Sequence, residues 1–218
     1  MSADVVVIDY GVGNLFSVRR AFEYCGATVL VSSDAGEISS ARRLVLPGVG
    51  AFADGMRGLT DLGLDRVIKT YADSGRPLLG ICLGMQMLAS CSEEFGEHRG
   101  LGILPGRVVP VPAIDIHGEP LKVPHVGWAD LHAPTSEAAW RDTILAGIHA
   151  GDAVYLTHSF EVKPDSPSHL LACCNYGGRE VTAAISDGNV YGVQFHPEKS
   201  GPVGLKIIDN FIKHDKLP

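Results

Sequence analysis

The run Val5-Val6-Val7-Ile8 constrains the fold more than any other stretch of this chain. Neighbouring side chains of a strand point to opposite faces, so four apolar residues in a row require cover on both sides. The run stops at Asp9-Tyr10-Gly11, and Gly11-Val12-Gly13-Asn14 follows as a tight turn. From Ser17 to Cys25, the positions Val18, Ala21, Phe22 and Cys25 share one helical face, and Gly26 ends the helix. Thr28-Val29-Leu30-Val31 reads as a second strand. Strand, helix and strand in this order predict a parallel sheet with helices packed over it.

The same alternation continues. Leu44-Val45-Leu46 is a short strand. Met56, Leu59, Leu64, Val67, Ile68 and Tyr71 recur at mostly helical spacing up to Ser74-Gly75, with Gly63 as a break. Pro77-Leu78-Leu79 leads into Gly80-Ile81-Cys82-Leu83-Gly84, and a helix is expected from Leu83 to Ser90. From Gly100 the chain breaks into short apolar pieces punctuated by Pro and Gly, which predict short antiparallel strands. A helix is expected over Trp140 to Ile148, and strands over 153–160, 170–174, 181–185 and 190–195. The closing helix places Leu205, Ile208, Phe211 and Ile212 on one face. No repeat, low-complexity tract or linker interrupts the sequence, so a single domain over 1–218 is expected.

Charge and cysteine content exclude several functions. The net charge is −7 and no long basic run offsets it, which argues against a nucleic-acid grip. No apolar stretch reaches the ~18 residues of a membrane span. The N-terminus enters the first strand too early for a secretory signal, so a cytoplasmic location away from any membrane is expected. The cysteines at 25, 82, 91, 173 and 174 are odd in number, irregular in spacing and lack a C-x-x-C pair. That argues against a disulfide framework or a zinc ribbon, and no metal site is expected.

Cys82 stands apart because glycines flank it where a strand runs into a helix. This is the layout of a nucleophile elbow, in which the reactive side chain sits at a sharp turn beside helix N–H groups that favour a thiolate. A buried structural cysteine is the competing reading. Pro47-Gly48-Val49-Gly50 is compatible with an ordinary strand-to-helix turn or with half of an oxyanion hole. His196 is one of nine histidines, but it lies just beyond a strand end, where ligand sites of open α/β sheets gather. Pro197 biases His196 towards an extended backbone, so Glu198 faces the same side and can fix the ring. Cys, His and Glu together follow the logic of nucleophile, base and orienter. Gly11-x-Gly13 also invites a dinucleotide reading, but Phe16 occupies the place of the third glycine.

Gly80-Ile-Cys82-Leu-Gly84-Met-Gln86 followed by His196-Pro-Glu198 resembles the class I (triad) glutamine amidotransferases. Asp9-Tyr10-Gly11-x-Gly13-Asn14, Pro47-Gly48-Val49-Gly50-x-Phe52, Pro124-His125-x-Gly127-Trp128 and Gln194-Phe-His-Pro-Glu-Lys-Ser200 are similar to the glutaminase subunits of imidazole glycerol phosphate synthases within that family. The resemblance implies a flavodoxin-like α/β fold, with an open, mostly parallel mixed sheet flanked by helices and a small antiparallel extension. It implies hydrolysis of L-glutamine to glutamate and ammonia without a cofactor. Cys82 is then the nucleophile, His196 the acid and base, and Glu198 its orienter. Val49 and Leu83 supply oxyanion N–H groups, and Gln86, Glu94, Ser159 and Phe160 hold the glutamine. The family often carries Thr-Tyr at 159–160, Met at 126 and Asn at 129, where this chain has Ser-Phe, Val and Ala. The resemblance further implies a (β/α)8-barrel cyclase as partner in a heterodimer, with Trp128, Tyr155 and Lys199 facing it. The alternatives are a glutaminase subunit serving another synthase, such as that of pyridoxal phosphate, and a non-catalytic regulatory module of the same fold. The intact triad residues speak against the latter.

Overall fold

The computed structural model describes residues 3–213. Val5–Ile8 forms strand β1 and is wholly buried. Val5 and Val7 join one apolar core while Val6 and Ile8 join another, as the two-residue period of a strand demands. Helix α1 (Leu15–Tyr24), strand β2 (Val29–Ser32), helix α2 (Ala35–Ser40) and strand β3 (Leu44–Leu46) follow. Next come helices α3 (Phe52–Asp61) and α4 (Leu64–Asp73), strand β4 (Leu78–Ile81) and helix α5 (Leu83–Leu88). Gly63 separates α3 from α4 in the left-handed conformation, at φ 68°.

The second half is mostly strand. It comprises β5 (Cys91–Ser92), β6 (His98–Arg99), β7 (Gly106–Pro110), β8 (His125–Asp130), β9 (Ala153–His158) and β10 (Phe160–Pro164). Strands β11 (Leu170–Tyr176), β12 (Arg179–Asp187) and β13 (Val190–Val193) precede helix α6 (Gly201–Lys213). The main sheet has seven strands in the order β11-β12-β13-β4-β3-β1-β2. The run from β13 to β2 is parallel, and β12 and β11 continue it antiparallel. A four-stranded sheet, β10-β7-β5-β6, and the two-stranded ribbon β8-β9 complete the strands described. The four-stranded extension is antiparallel except for the parallel pair β5-β7.

Helices cover both faces of the main sheet. Val18 and Phe22 of α1 pack with Ile207, Ile208 and Phe211 of α6 on one side. Ile38, Leu59, Leu64, Ile68 and Met87, from α2 to α5, fill the other. Fully burying such a side chain is worth about 1.5–3 kcal/mol, so the doubly covered strands anchor the fold. The Phe22 and Phe211 rings meet edge to face at 6.2 Å, a preferred aromatic geometry.

Several expectations need correction. The stretch 140–148 is not a regular helix: a 3-10 turn, Glu137–Trp140, leads into successive i-to-i−3 turns at Thr143, Ala146 and Ile148. The Thr143 hydroxyl donates to the Trp140 carbonyl at 2.8 Å, a local bond that competes with a helical ladder. The expected strand 153–160 is two strands, because β9 pairs with β8 up to His158 and β10 pairs with β7 from Phe160. Between them, the Ser159 carbonyl accepts from the Val111 N–H at 2.9 Å. Helix α5 ends at Leu88, two residues early, since the extended Ala89 leaves the Leu88 carbonyl to the N–H groups of Ile103 and Leu104. The last strand ends at Val193. In α6 the buried positions are Gly204, Ile207, Ile208 and Phe211, and Leu205 and Ile212 flank that stripe. Helix α2 was not expected, although Asp34-x-x-Glu37 has the spacing of a capping box. Asp34 caps the helix by accepting from the Glu37 N–H at 2.8 Å.

Candidate active site

Strands β3, β4 and β13 are neighbours in the sheet, and each delivers one part of the site from its C-terminal end. Cys82 follows β4 and adopts φ 55°, ψ −112°, a conformation that costs a non-glycine residue about 1–3 kcal/mol. Its N–H donates to the Val193 carbonyl at 2.8 Å and its carbonyl accepts from the Gln86 N–H at 3.2 Å. The turn is thereby tied to β13 in front and to α5 behind. The flanking glycines are required by space. A Cβ on Gly80 would lie 2.8 Å from the Gly84 backbone, and one on Gly84 would overlap the Leu46 carbonyl oxygen.

His196 follows β13, and its N–H donates to the Tyr155 carbonyl at 2.9 Å. Its Nδ1 lies 2.9 Å from Glu198 Oε1, with both side chains buried. The carboxylate accepts the Nδ1 proton, which leaves Nε2 for chemistry. That atom is buried without a hydrogen-bond partner, as is Glu198 Oε2. Burial pushes the His196 imidazole down, but its interactions with Cys82 and with the Glu198 carboxylate outweigh that and raise it to about 9. The sulfur thus acts on the ring without meeting hydrogen-bond geometry at Nε2. An imidazolium beside a thiol nucleophile is the arrangement that favours thiolate.

The loop after β3 carries Val49. Gly48 and Gly50 serve it differently. Gly50 needs its freedom, at φ 99°, whereas a Cβ on Gly48 would lie 2.5 Å from the Tyr10 hydroxyl and 2.9 Å from Leu83 Cβ. The Tyr10 hydroxyl donates to the Pro47 carbonyl at 2.7 Å and pins the front of the loop. Glu94 holds its rear by accepting from the Phe52 N–H at 2.6 Å, a cap that α3 lacks from its own preceding residue.

These parts enclose a cleft of about 300 Å³, small but within reach of an amino-acid ligand. The sequence-predicted Val49, Cys82, Leu83, Gln86, Glu94, Ser159, Phe160 and His196 all line it. Glu198 sits behind His196 and off the cleft wall. Gln86 donates from Nε2 to the Phe160 carbonyl and to Gln194 Oε1, both at 3.1 Å. Trp128 and Tyr155 are cross-strand partners on the β8-β9 ribbon, their rings edge to face at 6.0 Å, and Trp128 is 59% exposed. Lys199 is exposed on the 3-10 turn after His196.

Three residues around the site were given no role by the sequence reading, although Tyr10 and Gln194 lie within the motifs quoted above. Gln194 is fully buried, and its Nε2 lies 3.7 Å from Cys82 Sγ. It stands two residues before His196, a spacing that could have found it. His158 lines the cleft, and burial pushes its imidazole down to about 4, so it is neutral near pH 7. The role of Tyr10 is visible only through its packing. No group of three or more His, Cys, Asp or Glu among the described residues is placed to hold a metal ion. No described helix is long and apolar enough to cross a membrane.

Comparison with known proteins adds sequence to this geometry. The model of the family "Glutamine amidotransferase class-I" matches residues 6–214. Imidazole glycerol phosphate synthase subunit HisH 1 of Legionella pneumophila (strain Lens) is 52% identical over 211 residues, covering 97% of this chain and 99% of that one. The subunit HisH of Syntrophotalea carbinolica is 48% identical over 210 residues, covering 95% and 98%. Among solved structures, that of PurLQS from Thermotoga maritima superposes with a TM-score of 0.69 at 19% identity, over 99% of this chain and 100% of the other. A match at that identity speaks to the fold alone.

Proposed function

This chain belongs to the class-I glutamine amidotransferase family, and we infer that it is the glutaminase subunit of an imidazole glycerol phosphate synthase, acting in histidine biosynthesis. The observation that carries the chemistry is the convergence of Cys82, His196 and the Val49 loop, from three adjacent strand ends, on one cleft.

The Cys82 thiolate adds to the side-chain carboxamide carbon of L-glutamine. The N–H groups of Leu83 and Val49 hold the developing oxyanion, and losing one such donor typically costs about 10²–10³ in rate. His196 gives its proton to the departing nitrogen, and ammonia leaves. A γ-glutamyl thioester remains on Cys82. The now neutral His196 takes a proton from water, the resulting hydroxide adds to the thioester, and collapse releases glutamate and restores the thiolate. Glu198 keeps the ring in the tautomer that presents Nε2. Gln86, Glu94, Ser159 and Phe160 bind the rest of the glutamine.

Ammonia is useful only if an acceptor meets it before water protonates it. The chain acts as one amidotransferase domain over 1–218, and the acceptor is a separate (β/α)8-barrel cyclase, bound as a heterodimer in the cytoplasm. Trp128, Tyr155 and Lys199 form its docking face. Tyr155 links that face to the site, since its carbonyl accepts from the His196 N–H. The cyclase would act on the oxyanion loop by turning inward the Gly48–Val49 peptide, which carries the Val49 N–H, a turn that the glycines on both sides of Val49 make easy.

Glutamate release from glutamine tests the reading. The isolated chain is expected to be weakly active and to rise at least tenfold with the cyclase and its ribonucleotide ligand. No release under either condition contradicts it.

A further inference from the structure

We propose that His125 and His158 are positioning residues for the cleft: two imidazoles hydrogen-bonded in series fix the Phe160 carbonyl and, through it, Gln86, Gln194 and the Cys82 sulfur. This rests on the reading of the cleft as a glutaminase site. His125 Nδ1 lies 3.2 Å from His158 Nε2, and His158 Nδ1 lies 2.9 Å from the Phe160 carbonyl oxygen. The same oxygen accepts from Gln86 Nε2 at 3.1 Å. Gln86 Nε2 also donates to Gln194 Oε1 at 3.1 Å, and Gln194 Nε2 approaches Cys82 Sγ at 3.7 Å. Polar contacts thus run without a gap from the first residue of β8 to the nucleophile.

Every proton in the series has one allowed place. A carbonyl oxygen only accepts, so His158 Nδ1 carries the hydrogen and its Nε2 is a lone pair. His125 Nδ1 must then donate, and its Nε2 is unprotonated. Gln86 spends its amide nitrogen on Phe160 and Gln194, which fixes the orientation of both amides. All four side chains are buried, His125 and His158 at 5% exposure, Gln86 at 6% and Gln194 at 0%. In side chains this buried a missing partner leaves a polar group that is not fully satisfied, so a break at one end is felt along the line.

The series begins on the ribbon that also carries Trp128 and Tyr155. His125 pairs across the ribbon with His158, three residues from the Trp128–Tyr155 pair. The His125 ring stacks on Tyr176 at 4.0 Å, which fixes it from β11. The position of β8 is therefore read at the glutamine-binding wall through oriented bonds rather than through packing alone. Spatial continuity by itself does not establish coupling, which makes non-additivity the property to measure.

His125→Phe keeps a ring against Tyr176 but removes the donor, whereas His125→Asn keeps an N–H near the place of Nδ1. The first readout is alkylation of Cys82 by iodoacetamide in the full chain at neutral pH, followed by mass spectrometry of the Cys82 peptide. The second is the split of KM and kcat for glutamine in the cyclase complex. We expect His125→Phe to slow alkylation at least threefold and raise KM about tenfold, with kcat changed less than threefold. His125→Asn is expected to stay within twofold of the unmodified chain in both. The double variant His125→Phe/Gln194→Leu is expected to alkylate no more slowly than Gln194→Leu alone. Equal losses in the Phe and Asn variants, unchanged alkylation in His125→Phe, or multiplicative effects in the double variant would overturn the proposal. Alkylation needs no glutaminase activity, so it reads the series even if the functional assignment fails.

Discussion

Cys82 holds a backbone conformation that only its surroundings make tolerable, and His196 shows the electrostatic side of the same arrangement. Folding raises the imidazole from an ordinary value near 6.5 to about 9, against the penalty of burial. Folding therefore favours the protonated ring. Its contribution to stability is whole below pH 6.5 and is lost as pH rises through about 9. The same proton is the one the leaving nitrogen needs. Glutaminase kcat/KM is accordingly expected to fall above pH about 9. Glu198→Gln removes one of the interactions that raise the ring, so the fall should begin at lower pH in that variant. A pH–rate profile with the same inflection in both proteins would contradict this. Cys82 and His196 were legible in the sequence because glycines and a strand end mark them. His158 was not, since one histidine among nine becomes a site residue only through partners distant in sequence. Gln194, marked by its spacing from His196, acquires its role only through Gln86 and Cys82.

The elements were legible wherever one periodicity held for a whole strand or helix. Val5–Ile8, Leu44–Leu46 and the α3-Gly63-α4 succession are of this kind. Reading failed where tertiary partners decide. At Ser159 a continuous run of strand-forming residues changes sheets, because β8 and β7 take successive halves of it. At 140–148 the buried Trp140, whose Nε1 donates to the Leu171 carbonyl at 2.8 Å, and the Thr143 hydroxyl give the backbone a turn pattern instead of a helix. The contact between α5 and β3 makes the sharpest demand on any element. Gly84→Ala would drive a Cβ into the Leu46 carbonyl and is expected to cost about 1–3 kcal/mol or more. Phe16→Ala, at an α1 position 72% exposed, should change stability by less than about 0.5 kcal/mol. Urea unfolding of the two variants checks this, and equal midpoints would contradict the packing at the elbow.

At the scale of the whole molecule, the parallel sheet brings three strand ends together, and the ribbon and the small sheet wall the resulting cleft. The nucleophile is backed by the sheet and tied to β13, while the oxyanion loop is pinned at its two ends, by Tyr10 and Glu94. That division fits a subunit whose thiol is built in advance and whose rate is set from outside. Its central claim is that Cys82 makes ammonia for a reaction completed in another chain. The most direct test is Cys82→Ala in complex with the cyclase, with synthesis of imidazole glycerol phosphate followed from glutamine and, separately, from ammonium salt. Synthesis from glutamine should be lost and synthesis from ammonium retained within about twofold, because truncating a nucleophile removes the covalent step alone. Retained glutamine-dependent synthesis, or loss of both, would contradict the account.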